Sequence, residues 1–236
     1  MNVFAPVVIL ILAMLIMLLL QLSPGVFLLF SHYTSGKYSR RKSSDQSLFF
    51  IFGAEICTTL IFLSVYFILT ALYVTPIDFE NNILIWITAG IFATIGAVFP
   101  ICYFRNGKGT KLFISRRLAV AFDKKANSAK SRSDAFTLGF ISILPELFFT
   151  LPIYFLSSLE IMQLGDSPLL RGFLILIFIL IAIAPLIATH VYLDFGHNFV
   201  EIAKFRIRNK NFNRFFISSL YFLTAIIVIT FRIINL

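Results

Sequence analysis

The amino-acid sequence predicts an all-α integral membrane protein of six transmembrane helices, arranged as two inverted three-helix repeats with the first and fourth helices broken. Three observations lead there. Six long apolar blocks run through the chain, basic residues crowd into every second connection, and prolines occupy matching places in the first and fourth blocks. Hydrophobic residues make up 59% of the 236 and charged residues only 13%, about half the ~25% of a soluble domain. Twenty-nine phenylalanines exceed what a water-soluble body of this length hides, so lipid is the expected solvent.

A helix needs about 20 apolar residues to cross the hydrocarbon. The qualifying blocks are roughly 3–30, 48–73, 83–104, 135–158, 170–193 and 214–233. No Lys or Arg precedes Lys37, and the apolar run from Val3 extends past Leu20. A cleaved leader begins with a basic stretch and a short core, so the first block is expected to stay as a helix. All of 1–236 reads as a single transmembrane domain: repeat one over about 1–107, a basic connector over about 108–134, repeat two over about 135–236.

Orientation follows from charge, because connections rich in Lys and Arg stay in the cytoplasm. The 31–47, 105–134 and 204–214 segments hold 18 of the 20 basic residues, leaving Arg171 and Arg232 for the other side. Asp78, Glu80, Glu160 and Asp166 fall in or beside the loops of that other side. An even number of spans then puts both termini outside the cytoplasm. A bacterial cytoplasmic membrane is the expected location. Within the connector, Ile114, Leu118, Ala121 and Phe122 share one helical face, ringed by Lys111, Arg116, Arg117, Lys124 and Lys125. That pattern suits a helix lying on the inner leaflet, and equally a solvated basic linker.

The net charge of +9 is spread over short runs between apolar blocks. Anionic lipid headgroups are therefore the expected partners of the basic loops, and nucleic acid is not. Cys57 and Cys102 form no Cys-x-x-Cys or Cys/His spacing, so neither zinc nor a redox pair is expected and no cofactor is implied. No Ser/His/Asp grouping, His-Glu-x-x-His or phosphate-cradling glycine loop occurs, and an enzyme is not expected. A second copy of the chain is kept among the partners.

Leu22-Ser23-Pro24-Gly25-Val26-Phe27-Leu28-Leu29 lines up with Ile143-Leu144-Pro145-Glu146-Leu147-Phe148-Phe149-Thr150. Three spans per half is an odd number, so the second half runs inverted. Interrupted helices at corresponding positions of inverted halves point to a solute site near the midplane. Proline there removes a backbone donor and frees a carbonyl; Pro24, Pro145, Pro152 and Pro185 are placed to do so.

Ionisable groups at membrane depth are costly and ask for a reason. Glu146 lies near the middle of the fourth span and Glu55 nearer the inner end of the second. His190 lies nearer still to that end, in the fifth. With Gln21 and Ser23 on the first helix they share the inner half. Ser142, Glu146, Thr150 and Tyr154 recur every four residues as one polar stripe. The proton- or solute-binding set is therefore Glu146, Glu55, His190, Pro145, Pro24, Ser23, Gln21, Ser142, Thr150 and Tyr154, with Thr58, Thr59 and Thr189 close by. On the third helix, Ala89, Ala93 and Ala97, and Gly90 with Thr94, make small-residue stripes suited to close packing. Trp86 and the tyrosines near span ends read as interface anchors.

Ser23-Pro24-Gly25 closing the first span, Gly53-Ala54-Glu55 after a basic loop and Phe136-Thr137-Leu138-Gly139-Phe140 opening the fourth span together resemble the LysE-type exporter superfamily. So does the basic loop before the last span. The chain departs from that pattern in its glycine-poor third and sixth spans. It also lacks the cysteines that the redox branch carries in the first and fourth. The resemblance implies a secondary transporter that exports an amino acid or cation. Glu146 and Glu55 would act as proton or substrate-cation partners. The reading from another class is a non-transporting membrane scaffold or biogenesis factor whose basic loops dock a partner.

Overall fold

In a computed structural model, the structure describes residues 4–21, 40–74, 83–102, 131–165, 167–195, 204 and 208–234. All six apolar blocks appear as helices: α1 (Phe4–Gln21), α2 (Arg40–Val74), α3 (Ile83–Cys102), α4 (Arg132–Ile143), α5 (Leu147–Leu164), α6 (Pro168–Asp194) and α7 (Lys210–Ile234). A single 3-10 turn, Leu144–Glu146, joins α4 to α5. Among the described residues there is no strand. Four stretches are long and apolar enough to cross a membrane: Ser44–Leu72, Arg132–Leu164, Pro168–Tyr192 and Asn211–Phe231. Phe4–Leu20 and Trp86–Ile101 are shorter apolar helices. This is a membrane-embedded helical protein. The expected surface helix at 108–130 and the Ser23-Pro24 break lie outside the described residues.

Helices α2, α4 and α7 start earlier than their apolar runs do, because polar turns project beyond the hydrocarbon. At 35 residues, α2 is about 52 Å long, well over the ~30 Å core. The start of α4 has its own signal. Asp134 N donates to Ser131 Oγ (3.1 Å) while Ser131 N donates to Asp134 Oδ2 (3.0 Å). This reciprocal pair satisfies two orphan amides at the helix N-terminus. Glu160, expected beside a loop, belongs instead to the last turns of α5 and is 6% exposed.

Outward-facing residues are apolar at helical spacing, as lipid requires: Phe52, Ile56, Leu60 and Phe67 on α2, and Phe173, Leu176, Leu180 and Ile187 on α6. Lipid is as apolar as a leucine side chain, so helices associate through close packing and hydrogen bonds rather than through hydrophobic burial. The most extensive contacts are α2 with α4 and α3 with α7, followed by α1 with α5, α6 and α7, and α2 with α5 and α6.

Two glycines make the α2–α4 contact. A Cβ on Gly53 would collide with the Phe136 carbonyl, and one on Gly139 with the Phe50 carbonyl. Between α3 and α7, Ser218 Oγ donates to the Gly96 carbonyl at 2.6 Å, and a Cβ on Gly96 would press on the Phe222 ring at 3.1 Å. The inward face of α3 is thus Ala89, Phe92, Ile95, Gly96 and Phe99. Gly90, Thr94 and Ala97 face outward, so only part of the expected small-residue stripe packs. The residues that give close approach here are set by the ridge opposite, which the α3 sequence alone does not contain.

Aromatic rings lock α5 from both sides. Phe62 of α2 stacks on Phe178 of α6 at 4.6 Å, with Tyr154 edge-on to both (5.9 and 6.1 Å). On the other flank Phe149 meets Phe99 at 5.2 Å, and Tyr221 lies 5.5 Å from Phe92. Such pairs contribute about 0.5–1.5 kcal/mol each beyond burial. Tyr154 and Tyr221 are fully buried, so these two tyrosines are core residues, not interface anchors. Trp86 is half-exposed, as an anchor would be.

The bundle has two distinguishable ends. Asp45, Arg132 and Asp194 gather at one, which we call the basic end. At the other, Phe4 meets Phe231 at 6.4 Å and Thr70 Oγ1 approaches Met162 Sδ at 3.8 Å.

Candidate functional site

The fourth span is interrupted where the sequence places Pro145, but the interruption is mild. Proline at 145 cannot donate to the Ile141 carbonyl. Leu144 N–H takes that carbonyl instead, and Leu147 N–H takes Leu144 O. The turn tightens and the freed acceptor is satisfied within the chain, so the expected bare carbonyl at Pro145 is not formed. The turn's effect lies elsewhere. It resets the helix so that Glu146 ends the 3-10 segment at φ −90°, ψ −6°, with its side chain 8% exposed.

From Glu146 a polar face runs up α5. Thr150 is 1% exposed, and Tyr154 and Ser157 are fully buried. Ser142 precedes the turn, 3% exposed, and spends its hydroxyl on the Gly139 carbonyl at 2.6 Å. Thr150 returns its own to the Glu146 carbonyl at 3.3 Å. The Glu146 carboxyl lies within electrostatic reach of the Tyr154 and Tyr221 hydroxyls. The Tyr221 hydroxyl donates to the Phe149 carbonyl at 2.9 Å.

Most buried hydroxyls in this bundle bond the carbonyl one turn back, the usual solution for Ser and Thr in helices. Ser158 does so to Tyr154 O, Thr189 to Pro185 O and Thr224 to Leu220 O. Three do not. Thr58 Oγ1, Tyr154 Oη and Ser157 Oγ are buried, and no hydrogen bond to described residues reaches them. The Tyr154 hydroxyl faces Thr58 and Thr150 without completing a bond to either. A buried hydroxyl without a partner costs about 1–3 kcal/mol, and native structures rarely keep three together unless something polar visits them. They come from α2 and α5: Thr58 faces Tyr154, and Ser157 lies about one turn beyond Tyr154, away from Glu146.

Glu55 is not drawn into this group. It is half-exposed, with no hydrogen bond or ion pair to described residues, and Cys57 and Thr58 are the α2 residues that face Tyr154. A helix carries about 100° of rotation per residue, and the buried stripe of α2 runs through Ala54, Cys57 and Thr58. Glu55 sits at its edge. Thr59 is likewise half-exposed.

His190 belongs to a second cluster, at the basic end. Its Nδ1 lies 2.7 Å from Ser47 Oγ and its Nε2 3.7 Å from Asp194 Oδ2. Ser44 Oγ donates to the same Asp194 oxygen at 3.1 Å. Ser47 Oγ also lies 2.8 Å from the Ser44 carbonyl, so its one proton serves that carbonyl or His190 Nδ1. Ser47 and Thr58 are eleven residues apart on α2, about 16 Å along the axis. The predicted set therefore divides into a mid-bundle group and a clasp at the basic end. Gln21 ends α1, and Ser23 and Pro24 lie outside the described residues. Sequence reading passed over Ser157 and Tyr221 because Ser and Tyr at span ends are common. Their three-residue offsets from Tyr154 and Ser218 were the available signal.

Among the described residues no three His, Cys, Asp or Glu side chains gather as metal ligands would. No family model matches the chain, nor does any curated protein or solved structure.

Proposed function

We propose that this chain is a secondary transporter, running outward, that moves a small solute such as an amino acid or a cation in exchange for protons, with Glu146 as the proton-binding carboxyl. The observation that carries this reading is the set of buried hydroxyls, Thr58, Tyr154 and Ser157, with no hydrogen-bond partners among described residues, along the helix face that leads from a carboxyl at the middle of the fourth span. A packed scaffold would turn those hydroxyls onto backbone, as its neighbours do. A cavity that alternately holds water and solute leaves them available.

Two further features support it. The helix pairings suit two inverted halves: spans one and four, two and five, and three and six touch, and the contact of one with five is answered by that of four with two. With the basic end facing the cytoplasm by the positive-inside rule, Phe4 and Phe231 lie at the opposite surface, and both termini with them. The layout shared with LysE-type exporters, and a bacterial cytoplasmic membrane as its site, belong to this proposal, as do anionic lipids at the basic loops.

The test is flux. Vesicles containing the purified protein, loaded with a panel of amino acids and monovalent and divalent cations, are given a pH gradient, and efflux is compared with Glu146→Gln, which keeps shape and hydrogen bonding but cannot titrate. Gradient-dependent efflux lost in the variant supports the reading. Equal rates in both would overturn it.

A further inference from the structure

Glu160 has no place in the site so far, and its position is unusual. The fourth span runs from Arg132 to Leu164, with its midpoint near residue 148. Glu160 lies twelve residues on, about 18 Å toward the far end, just past the ~15 Å half-thickness of the hydrocarbon. A glutamate at that level can reach water by pointing outward. This one is 6% exposed, covered by protein. No hydrogen bond or ion pair to it exists among the described residues. Arg171, at that end, commits its Nε to the Gly165 carbonyl at 2.7 Å.

Its angular position is equally informative. Fourteen residues separate Glu146 from Glu160, four helical turns within about 40°, so both carboxyls lie on one face of the helix. Thr150 and Ser157 lie on that face between them and Tyr154 at its flank, all 1% exposed or less. Thr58 of α2 faces it, also fully buried. Thr58, Tyr154 and Ser157 are the same three hydroxyls that no described residue bonds. The face is about 21 Å long, with a carboxyl at each end.

We propose that Glu160 is a second proton-binding site, the far mouth of a proton track that runs along this face of α5 to Glu146. This rests on the reading of Glu146 above. A proton leaving the Glu160 carboxyl passes to a bridging water or to Ser157 Oγ. Each oxygen along the face accepts one proton on one side and releases one on the other, and the Glu146 carboxylate accepts the last. Net charge is conserved at every transfer, and Glu160 is reprotonated from the far aqueous side. Waters bridge successive turns, since hydroxyls one turn apart on a helix stand about 5–6 Å from each other.

Two measurements on the full-length protein in lipid vesicles test this. Infrared difference spectra between acid and alkaline buffer report protonated carboxyls directly. We expect a carbonyl band that disappears in Glu160→Gln and persists in Glu146→Gln. An internal pH dye then reports proton movement. We expect Glu160→Gln to slow it roughly a hundredfold, Ser157→Ala to slow it less with both carboxyls intact, and Glu160→Asp to recover part of the rate. Size-exclusion profiles confirm that each variant is folded. An unchanged infrared spectrum in Glu160→Gln, or wild-type proton movement in folded Glu160→Gln, overturns the track. If Glu146→Gln is inert at the same time, the reading of Glu146 survives and only Glu160 is misassigned. Wild-type rates in both variants, or no proton movement in the unaltered protein, overturn both.

Discussion

Gly139 of α4 lies against the backbone of Phe50 of α2 so closely that a Cβ would reach the Phe50 carbonyl and come within 3.0 Å of its Cα. The relation is reciprocal: Gly53, three residues after Phe50, meets Phe136, three residues before Gly139. Two Phe-x-x-Gly segments thus clasp one another. The helices run the same way, since Asp45 and Arg132 pair at their starts (2.6 Å) and Thr70 meets Met162 near the ends of α2 and α5. The local axis therefore follows the helices, unlike the in-plane axis of inverted halves. The corresponding contact in such an arrangement, α1 with α6, has no glycine clasp, because α1 contains no glycine and nothing approaches Gly172.

Gly53→Ala and Gly139→Ala should each force these backbones apart. Overpacking costs about 1–3 kcal/mol, so the melting temperature in detergent should fall by roughly 2–12 °C at about 2–4 °C per kcal/mol. Gly90→Ala, which faces open space, is the control. An undiminished melting temperature in both clasp variants would show that the helices can spread without loss.

Tyr221 and Tyr154 are both fully buried, yet their hydroxyls differ. That of Tyr221 holds the Phe149 carbonyl; that of Tyr154 bonds no described residue. Tyr221→Phe should destabilise by about 0.6–1.7 kcal/mol. Tyr154→Phe should leave stability unchanged or slightly raised, because it deletes a buried unpaired group, while reducing flux. Thermal melts and vesicle flux on the same two preparations separate structure from function, and a Tyr154→Phe protein that is strongly destabilised but transports normally would reverse the assignment.

Ser47 and His190 should act as one unit. Ser47→Ala and His190→Phe each break the 2.7 Å bond between α2 and α6, so a double-mutant cycle should give a coupling of about 0.5–3 kcal/mol. Additive losses would mean that the two side chains stabilise the inner end independently.

The proposed orientation, with the basic end in the cytoplasm, would place residue 236 outside it. A reporter active only in the cytoplasm, fused after Leu236, should be silent, and one inserted near Lys124 should be active. The reverse pattern would invert every inner and outer assignment made for Glu146 and Glu160.

The helices were legible in the sequence because lipid solvation imposes one simple rule, about 20 apolar residues per crossing. Each of the six apolar blocks contains a helix, and among the described residues four stretches are long and apolar enough to cross. The polar stripe of Ser142, Glu146, Thr150 and Tyr154 was legible too, since each member is buried at its four-residue spacing. Glu160 escaped because hydropathy ends the span near residue 158, whereas capping by Gly165 N–H on Ile161 O carries the helix to Leu164. Glu55 stands half-exposed at the edge of the buried stripe of α2. Depth is a one-dimensional quantity, and the rotation of α2 that turns Glu55 aside is set by the glycine clasp, a contact between helices that no single span encodes.

Gly53 and Gly139 are separated by 86 residues of chain, with α3 emerging between them. At about 5–20 residues per second, α2 spends on the order of 4–17 s in the bilayer before its partner is synthesised. During that interval the backbone groove at Gly53, which has no side chain to fill it, is open to acyl chains. Docking of α4 must expel them, so the clasp forms late in biogenesis. The mature bundle is then closed by lipid release as much as by the contacts that replace it.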